Sequence, residues 1–282
     1  MVIMKYIFFG TPRFAAIILD QLIKAGLPPT LVVTNPDRPA GRKKILTPPP
    51  TKSIAAGHNI PVYQPEKLEV KSWKLEVSKL NGIEFAVVAA YNKILKKEVL
   101  ESLPAGFIGI HPSLLPRYRG ASPIQSAMLA GEKETGISLY LLDNEVDHGS
   151  ILAQKNLPIA PEDDYLSLEE KLADLGAKAL ISILPNLPQI ATEAAPQDHS
   201  LTTFTKKFVA TDGFVDLAHD TPEMIYRKIK ALNPEPGVYA IINEVRVKLL
   251  SAKLENQELI ITRLQYAGKK PIAVKQSIAN LF

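Results

Sequence analysis

The feature that most constrains this chain is the alternation, through its first half, of short β-rich apolar runs with helical patterns. Lys5 to Phe9 predicts a strand, Phe14 to Lys24 a helix, and Leu31 to Thr34 a second strand. Phe85 to Ala90 (FAVVAA) predicts a third strand, apolar on both faces and therefore fully buried. Ile108 to Ile110, Ile137 to Leu142 and Ile151 to Leu157 predict three more. Helical spacing recurs over Glu66 to Leu80, Ser122 to Leu129 and Ser167 to Leu184, the last interrupted by Gly176. Strands alternating with helices specify an α/β domain on a mostly parallel, Rossmann-like sheet. In such sheets ligands bind beyond the carboxyl ends of the strands, so the loops after strands are where chemistry is sought.

The pattern changes near residue 185. Pro185 to Ser200 holds three prolines among polar residues and reads as a linker. Thr221 and Pro222 then open a helix to Leu232 as a cap and first-turn pair. Val238 to Ile242, Val245 to Leu250 and Leu259 to Leu264 are β-rich, with Asn243-Glu244 as a hairpin turn. The expected division is residues 1–190 for the α/β domain and 203–282 for a small β-rich, barrel-like second domain.

Composition narrows the chemistry. The 282 residues include no cysteine, which removes disulfides, thiolate catalysis and cysteine-ligated metals. No apolar run approaches the ~20 residues that cross a bilayer. The opening MVIMKYIFFG leads straight into Gly10-Thr11-Pro12 and reads as a buried strand rather than a signal peptide. A cytoplasmic protein is expected. Residues 200–282 carry 12 Lys+Arg against 8 Asp+Glu, so the formal excess of +4 lies in the C-terminal part. That placement fits a polyanionic partner, and equally ordinary scatter in surface charge.

Four segments could carry chemistry. The first is Ile110 to Gly120 (IHPSLLPRYRG), in which His111 follows a buried strand and Pro112 and Pro116 restrict the loop. The second is Leu142 to Gly149 (LDNEVDHG), with Asp143, Glu145 and Asp147 close together. A carboxylate near His111 would orient its ring and support an imidazolium. Read alone, both segments also describe solvated turns. The acids do not form a calcium loop, because the required glycine and distal glutamate are not in their places. The third is Asn35 to Lys52, with Arg38, Arg42, Lys43, Lys44 and Lys52, five prolines and Gly41. An extended basic segment suits a nucleic-acid backbone, and a solvated loop would look the same. The fourth, Gly10-Thr11-Pro12-Arg13-Phe14, lacks the glycines of a dinucleotide fingerprint but could aim backbone amides at a polar ligand.

Together these segments resemble the folate-dependent formyltransferases, and within them the branch that acts on aminoacyl-tRNA. The resemblance rests on Gly10 to Ala15 (GTPRFA), Pro36 to Arg42 (PDRPAGR), His111 to Gly120 and Asp147-His148-Gly149. It extends to Ala231 to Gly237 (ALNPEPG) and Leu264 to Lys270 (LQYAGKK). It implies a formyl donor, 10-formyltetrahydrofolate, acting as co-substrate, an initiator methionyl-tRNA acceptor, a monomer, and no metal. Residues 1–190 would then be the catalytic domain and 203–282 a tRNA-binding domain. His111 and Asp147 would be the catalytic pair. Ser113, Leu114, Leu115 and Pro116, with Ala90 and Tyr91, would line the folate pocket. Arg38, Arg42, Lys43 and Lys44 would meet the tRNA, with Phe14 near the methionyl side chain.

One departure stands out. The family's motif has an asparagine two residues before the histidine, where this chain has Gly109. That amide would donate to the formyl oxygen, and losing such a donor typically costs ~10²–10³ in rate. Asn92, at the end of the neighbouring predicted strand, is the expected replacement. The departure keeps three other readings open: a 10-formyltetrahydrofolate hydrolase-like protein, a sugar-nucleotide N-formyltransferase, and a non-catalytic folate- or tRNA-binding protein. The C-terminal domain is also short for the family after Leu254, where one strand pair is expected to be lost.

Overall fold

The computed structural model of the protein describes residues 5–41 and 43–278. In chain order its elements begin with β1 (Lys5–Gly10), α1 (Arg13–Lys24), β2 (Leu31–Val33), β3 (Arg38–Ala40), β4 (Ile45–Thr47) and α2 (Pro50–Gly57). Next come β5 (Val62–Tyr63), α3 (Val70–Ser78), β6 (Ile83–Ala89), α4 (Lys97–Leu100), β7 (Phe107–His111), β8 (Arg119–Gly120) and α5 (Pro123–Ala130). They are followed by β9 (Glu134–Leu141), β10 (Ile151–Pro158), α6 (Tyr165–Ile183), α7 (Leu187–Thr192), β11 (Phe204–Thr205) and α8 (Pro222–Leu232). The chain ends with β12 (Tyr239–Ile242), β13 (Val245–Glu255), β14 (Glu258–Tyr266) and β15 (Ile272–Ser277).

The chain divides into two compact units. The first comprises residues up to Arg119, 136–157 and 169–204; the second takes 120–135, 158–168 and the chain from Thr205 onward. The contiguous split expected from sequence would leave 120–135 with the first unit. They join the second because α5 packs on α8, with the Arg227 guanidinium donating to the Ala130 carbonyl at 3.2 Å.

In the first unit a seven-stranded sheet runs in the order β10-β9-β7-β6-β1-β2-β5. Pairs β1–β2, β1–β6, β6–β7 and β2–β5 are parallel, and β7–β9 is antiparallel. The central strands are apolar on both faces because helices cover both, so Ile7, Phe8, Phe9, Phe85, Ala86 and Val87 are all fully buried. On one face Phe9, Trp73, Tyr91 and Phe107 form an aromatic cluster with ring centroids 5.3–6.2 Å apart. Trp73 comes from α3 and donates its indole N–H to Ser102 Oγ at 2.8 Å. Helix α1 buries Phe14, Ala15, Ala16, Ile18, Leu19 and Leu22, the stripe its spacing predicts. Gly176 sits inside an unbroken α6 for a steric reason: a Cβ there would come within 2.9 Å of Ile110 on the sheet. No helix among the described residues is long and apolar enough to cross a membrane.

The second unit contains a four-stranded antiparallel sheet, β12-β13-β14-β15, packed with α8. Thr221 caps α8, its Oγ1 accepting from the Met224 amide at 3.2 Å. The turn between β12 and β13 has Asn243 and Glu244 at φ 47° and 65°, the twist a two-residue hairpin requires. Asn256 and Gln257 repeat it between β13 and β14 at φ 48° and 68°.

Two segments differ from expectation. The basic segment after β2 is a β-hairpin, β3 paired with β4, followed by α2, rather than an extended loop. Its prolines fall where they cost little: Pro50 opens α2, where no amide partner is needed. The expected linker after residue 185 carries α7, bridges Ala195 to Ile151 in both directions and buries Gln197.

Candidate functional site

Strands β6 and β7 end side by side at the carboxyl edge of the parallel sheet, with Val88 paired to Gly109. His111 is the last residue of β7 and is 6% exposed. Its Nε2 lies 2.9 Å from the Tyr118 carbonyl, and its Nδ1 lies 3.6 Å from Asp147 Oδ2. Each ring nitrogen thus faces an oxygen acceptor, and only the imidazolium can donate to both. The loop between β9 and β10 supplies Asp147 from a backbone at φ 49°, a conformation that aspartate tolerates better than most residues. Its other oxygen, Oδ1, accepts from the Tyr140 hydroxyl at 2.6 Å.

A buried polar frame holds this pair. Gln197 Nε2 donates to the carbonyls of Asp147 and Gly149 at 2.9 and 2.8 Å, fixing the turn that presents the carboxylate. Its Oε1 accepts from Arg119 at 2.6 and 3.2 Å, and Arg119 is itself 3% exposed. Gly149 must be glycine, since a Cβ would lie 1.7 Å from the Leu141 carbonyl. Beyond the pair, His148 and His199 stack with centroids 4.4 Å apart, and His148 Nδ1 lies 2.6 Å from Asp143.

The turn after His111 is tied to the sheet. The Ser113 hydroxyl donates to the Arg117 carbonyl at 2.7 Å, and its own carbonyl accepts from the Ser138 hydroxyl at 2.7 Å. The Leu115 amide donates to Ser138 Oγ at 2.9 Å, and Gln154 donates to the Leu115 carbonyl at 2.8 Å. Leu115 is buried, while Leu114 and Pro116 are partly exposed. Ala90, at φ 48°, and Asn92 are exposed just past β6. Tyr91 between them turns inward, its ring 5.3 Å from Phe9. Burial pushes its phenol up to about 12, and its hydroxyl finds no hydrogen-bond partner among the described residues. The fold sets His111 against Asp147 at the start of the turn that carries residues 113–116, and buries Arg119 at the end of the same motif; it adds Tyr140, Gln197, Ser138 and Gln154, which the sequence does not single out. The serine and the two glutamines carry no local signal, since only the fold brings them to the turn.

The remaining expected residues lie elsewhere. Phe14 is 4% exposed inside α1. Arg38 pairs with Glu66 at 2.5 Å on the surface, and Lys43 and Lys44 are exposed in the turn of the β3–β4 hairpin. Arg42 lies outside the described residues. Ile45 and Leu46, 62% and 65% exposed, put apolar surface beside these charges. Asp37 anchors the base: Gln64 and Lys52 hydrogen-bond its carboxylate at 2.8 and 2.8–2.9 Å and hold it below its ordinary pKa.

Comparison with known proteins fits this arrangement. Residues 4–184 match the family model described as formyl transferase, and residues 207–259 match that of the formyl transferase C-terminal domain. A methionyl-tRNA formyltransferase of Kosmotoga olearia is 37% identical over 97% of this chain and 96% of its own. One of Chloroflexus aurantiacus is 41% identical over 90% of this chain and 82% of its own. The structure of a methionyl-tRNA formyltransferase from Clostridium thermocellum shares the fold, with TM-score 0.59 and 18% identity over 97% of this chain and all of that one.

Proposed function

The chain belongs to the formyl transferase family, and from that premise we propose that it moves the formyl group of 10-formyltetrahydrofolate to the α-amine of initiator methionyl-tRNA. The observation that carries the reading is the buried pairing of His111 with Asp147 at 3.6 Å, at the carboxyl edge of a parallel sheet. That edge is where open α/β sheets take their ligands.

In the reaction the methionyl amine attacks the formyl carbon and a C–N bond forms. The carbonyl oxygen takes up the electron pair of the broken π bond as a tetrahedral oxyanion. His111, as imidazolium, offers a charged donor to that oxyanion, and such donors are worth most where charge develops. Asp147 balances the imidazolium. When the intermediate collapses, the bond from carbon to folate nitrogen breaks. The proton released by the attacking amine ends on that nitrogen, with Asp147 as the relay. The open strand ends around Ala90 and the 113–116 turn suit the folate. Asn92, exposed just past β6, is the second candidate donor to the oxyanion. The basic segment of the sequence with Arg38, Arg42, Lys43 and Lys44 addresses tRNA phosphates, and residues 203–282 supply further tRNA contacts. Phe14 serves the methionyl side through the helix it anchors.

The test is transfer of labelled formyl from 10-formyltetrahydrofolate to initiator methionyl-tRNA, with a no-tRNA control. Label in the tRNA that disappears in His111→Ala supports the reading. Formate released without tRNA labelling would replace it with a hydrolase. Label carried only to an amino-sugar nucleotide would replace it with a sugar formyltransferase.

A further inference from the structure

Gly109 does not sit where the backbone demands a glycine, for its φ is not in the left-handed region. Space demands it. In the antiparallel β7–β9 pair, Gly109 lies directly opposite Tyr140, so both residues face the same side of the sheet. A Cβ on Gly109 would lie 2.2 Å from Tyr140 Cε1, 2.5 Å from Cζ and 2.7 Å from Leu142 Cδ1. The tyrosine ring therefore lies across the glycine, 6% exposed, and reaches from β9 to the catalytic loop. At its tip the hydroxyl donates to Asp147 Oδ1 at 2.6 Å, a short bond of the charge-assisted kind. The opposite carboxylate oxygen is the one that faces His111 at 3.6 Å.

We propose that Tyr140 is a positioning residue of the catalytic carboxylate, and that Gly109 supplies the space that admits it. Phenol, carboxylate and imidazole form one line from the sheet to the reacting atoms. The inference rests on the proposed reaction only for its kinetic consequence; the line itself is independent of substrate. Tyr140 keeps Oδ2 turned toward His111 and stabilises the charged carboxylate. Burial, and then the Asp147 charge, hold the phenol well above its ordinary pKa, so it keeps the proton that it donates. The charged groups near the line are His111 on β7, Asp143 and His148 in the Asp147 loop, and Arg119 beyond the ring.

The test is Tyr140→Phe, which keeps the ring over Gly109 and removes only the donor. Loss of a hydrogen bond to a charged group should lower kcat by about 10- to 100-fold. KM for both substrates should stay within about twofold. A merely structural role would lower thermal stability and leave kcat of the folded enzyme within about twofold. Crystal structures of wild type and Tyr140→Phe read the same change without substrate. An Asp147 carboxylate turned away from His111 in the variant supports the proposal, and an unmoved carboxylate overturns it. Should the wild-type chain fail to formylate methionyl-tRNA, the proposed function falls, and the position of the carboxylate alone decides Tyr140.

Discussion

Substituting Gly109 by alanine tests the steric half of this picture through stability alone. Carbon atoms in ordinary contact sit about 3.5–4.0 Å apart, whereas the new methyl would sit 2.2 Å from Cε1 and 2.5 Å from Cζ of Tyr140. The Leu142 methyl at 2.7 Å is the far end of a flexible side chain and can turn away. The tyrosine ring cannot do so cheaply, because it is buried between strands with its hydroxyl committed to Asp147. Overpacking of this kind costs about 1–3 kcal/mol. In a Tyr140→Leu background the ring is gone. The same Gly109→Ala change should then be neutral or favourable by up to ~1 kcal/mol, as glycine inside a strand carries an entropic penalty. The coupling between the two sites is therefore about 1–4 kcal/mol, above the ~0.5 kcal/mol scatter of independent sites. Urea unfolding of the four proteins, with m unchanged, measures it. An equal cost of Gly109→Ala in both backgrounds would refute the reasoning.

Three further outcomes are expected. Replacing Lys43 and Lys44 by alanine should raise KM for tRNA and leave KM for the formyl donor alone. The slope of log KM on log salt should fall by about one for each phosphate that no longer meets a lysine, read from initial rates at several salt concentrations. Gln197→Ala should destabilise the protein by about 1–3 kcal/mol and lower kcat, because the carbonyls of Asp147 and Gly149 lose the amide that fixes their turn; urea unfolding and formylation rates check it. Alkaline pH should unfold the chain steeply. Burial raises the phenols of Tyr6, Tyr91 and Tyr140 above their ordinary value near 10, that of Tyr91 to about 12. Below pH 10 both folded and unfolded states keep these protons, so the contribution is intact. Above pH 10 only the unfolded state loses them, and stability should fall by about 4 kcal/mol per pH unit for the three. Tyrosinate absorbance and circular dichroism should then change together above pH 10.

The sequence is most legible where burial alone dictates pattern. β6 must be apolar on both faces to lie between β1 and β7, which buries or half-buries FAVVA, while the last alanine of the run, Ala90, falls past the strand and is exposed. The Asn243-Glu244 turn is equally readable, because two consecutive residues with positive φ leave few choices. Helix α2 is hidden because its triple-proline entry resembles a breaker, although Pro50 is the first helical residue. β15 is hidden because its residues are only partly buried or exposed, which leaves no clean alternation. In the site, His111 and Asp147 are legible as polar residues just past apolar strands. Gln197 is not, since a glutamine among prolines and polar residues looks like linker until Ala195 pairs with Ile151 and brings it inward.

Tyr140 shows why a departure from a motif is best read across the strand rather than along it. The sequence frames Gly109 as the loss of a side chain, and looks for its replacement on the parallel neighbour, at Asn92. Within β7, though, Ile108 and Ile110 are buried and leave no room for a polar substitute. The antiparallel neighbour is different, because direct opposition on β9 ties the volume available at 109 to the size of residue 140. A side chain on β7 and a tyrosine on β9 are therefore alternatives, and this chain holds the second. The exchange brings a buried hydroxyl to Asp147 from the side opposite His111. Asn92→Ala and Tyr140→Phe should therefore differ in kind: loss of an oxyanion donor lowers kcat and leaves the Asp147 carboxylate in place, whereas loss of the carboxylate's partner lowers kcat and lets that carboxylate turn from His111.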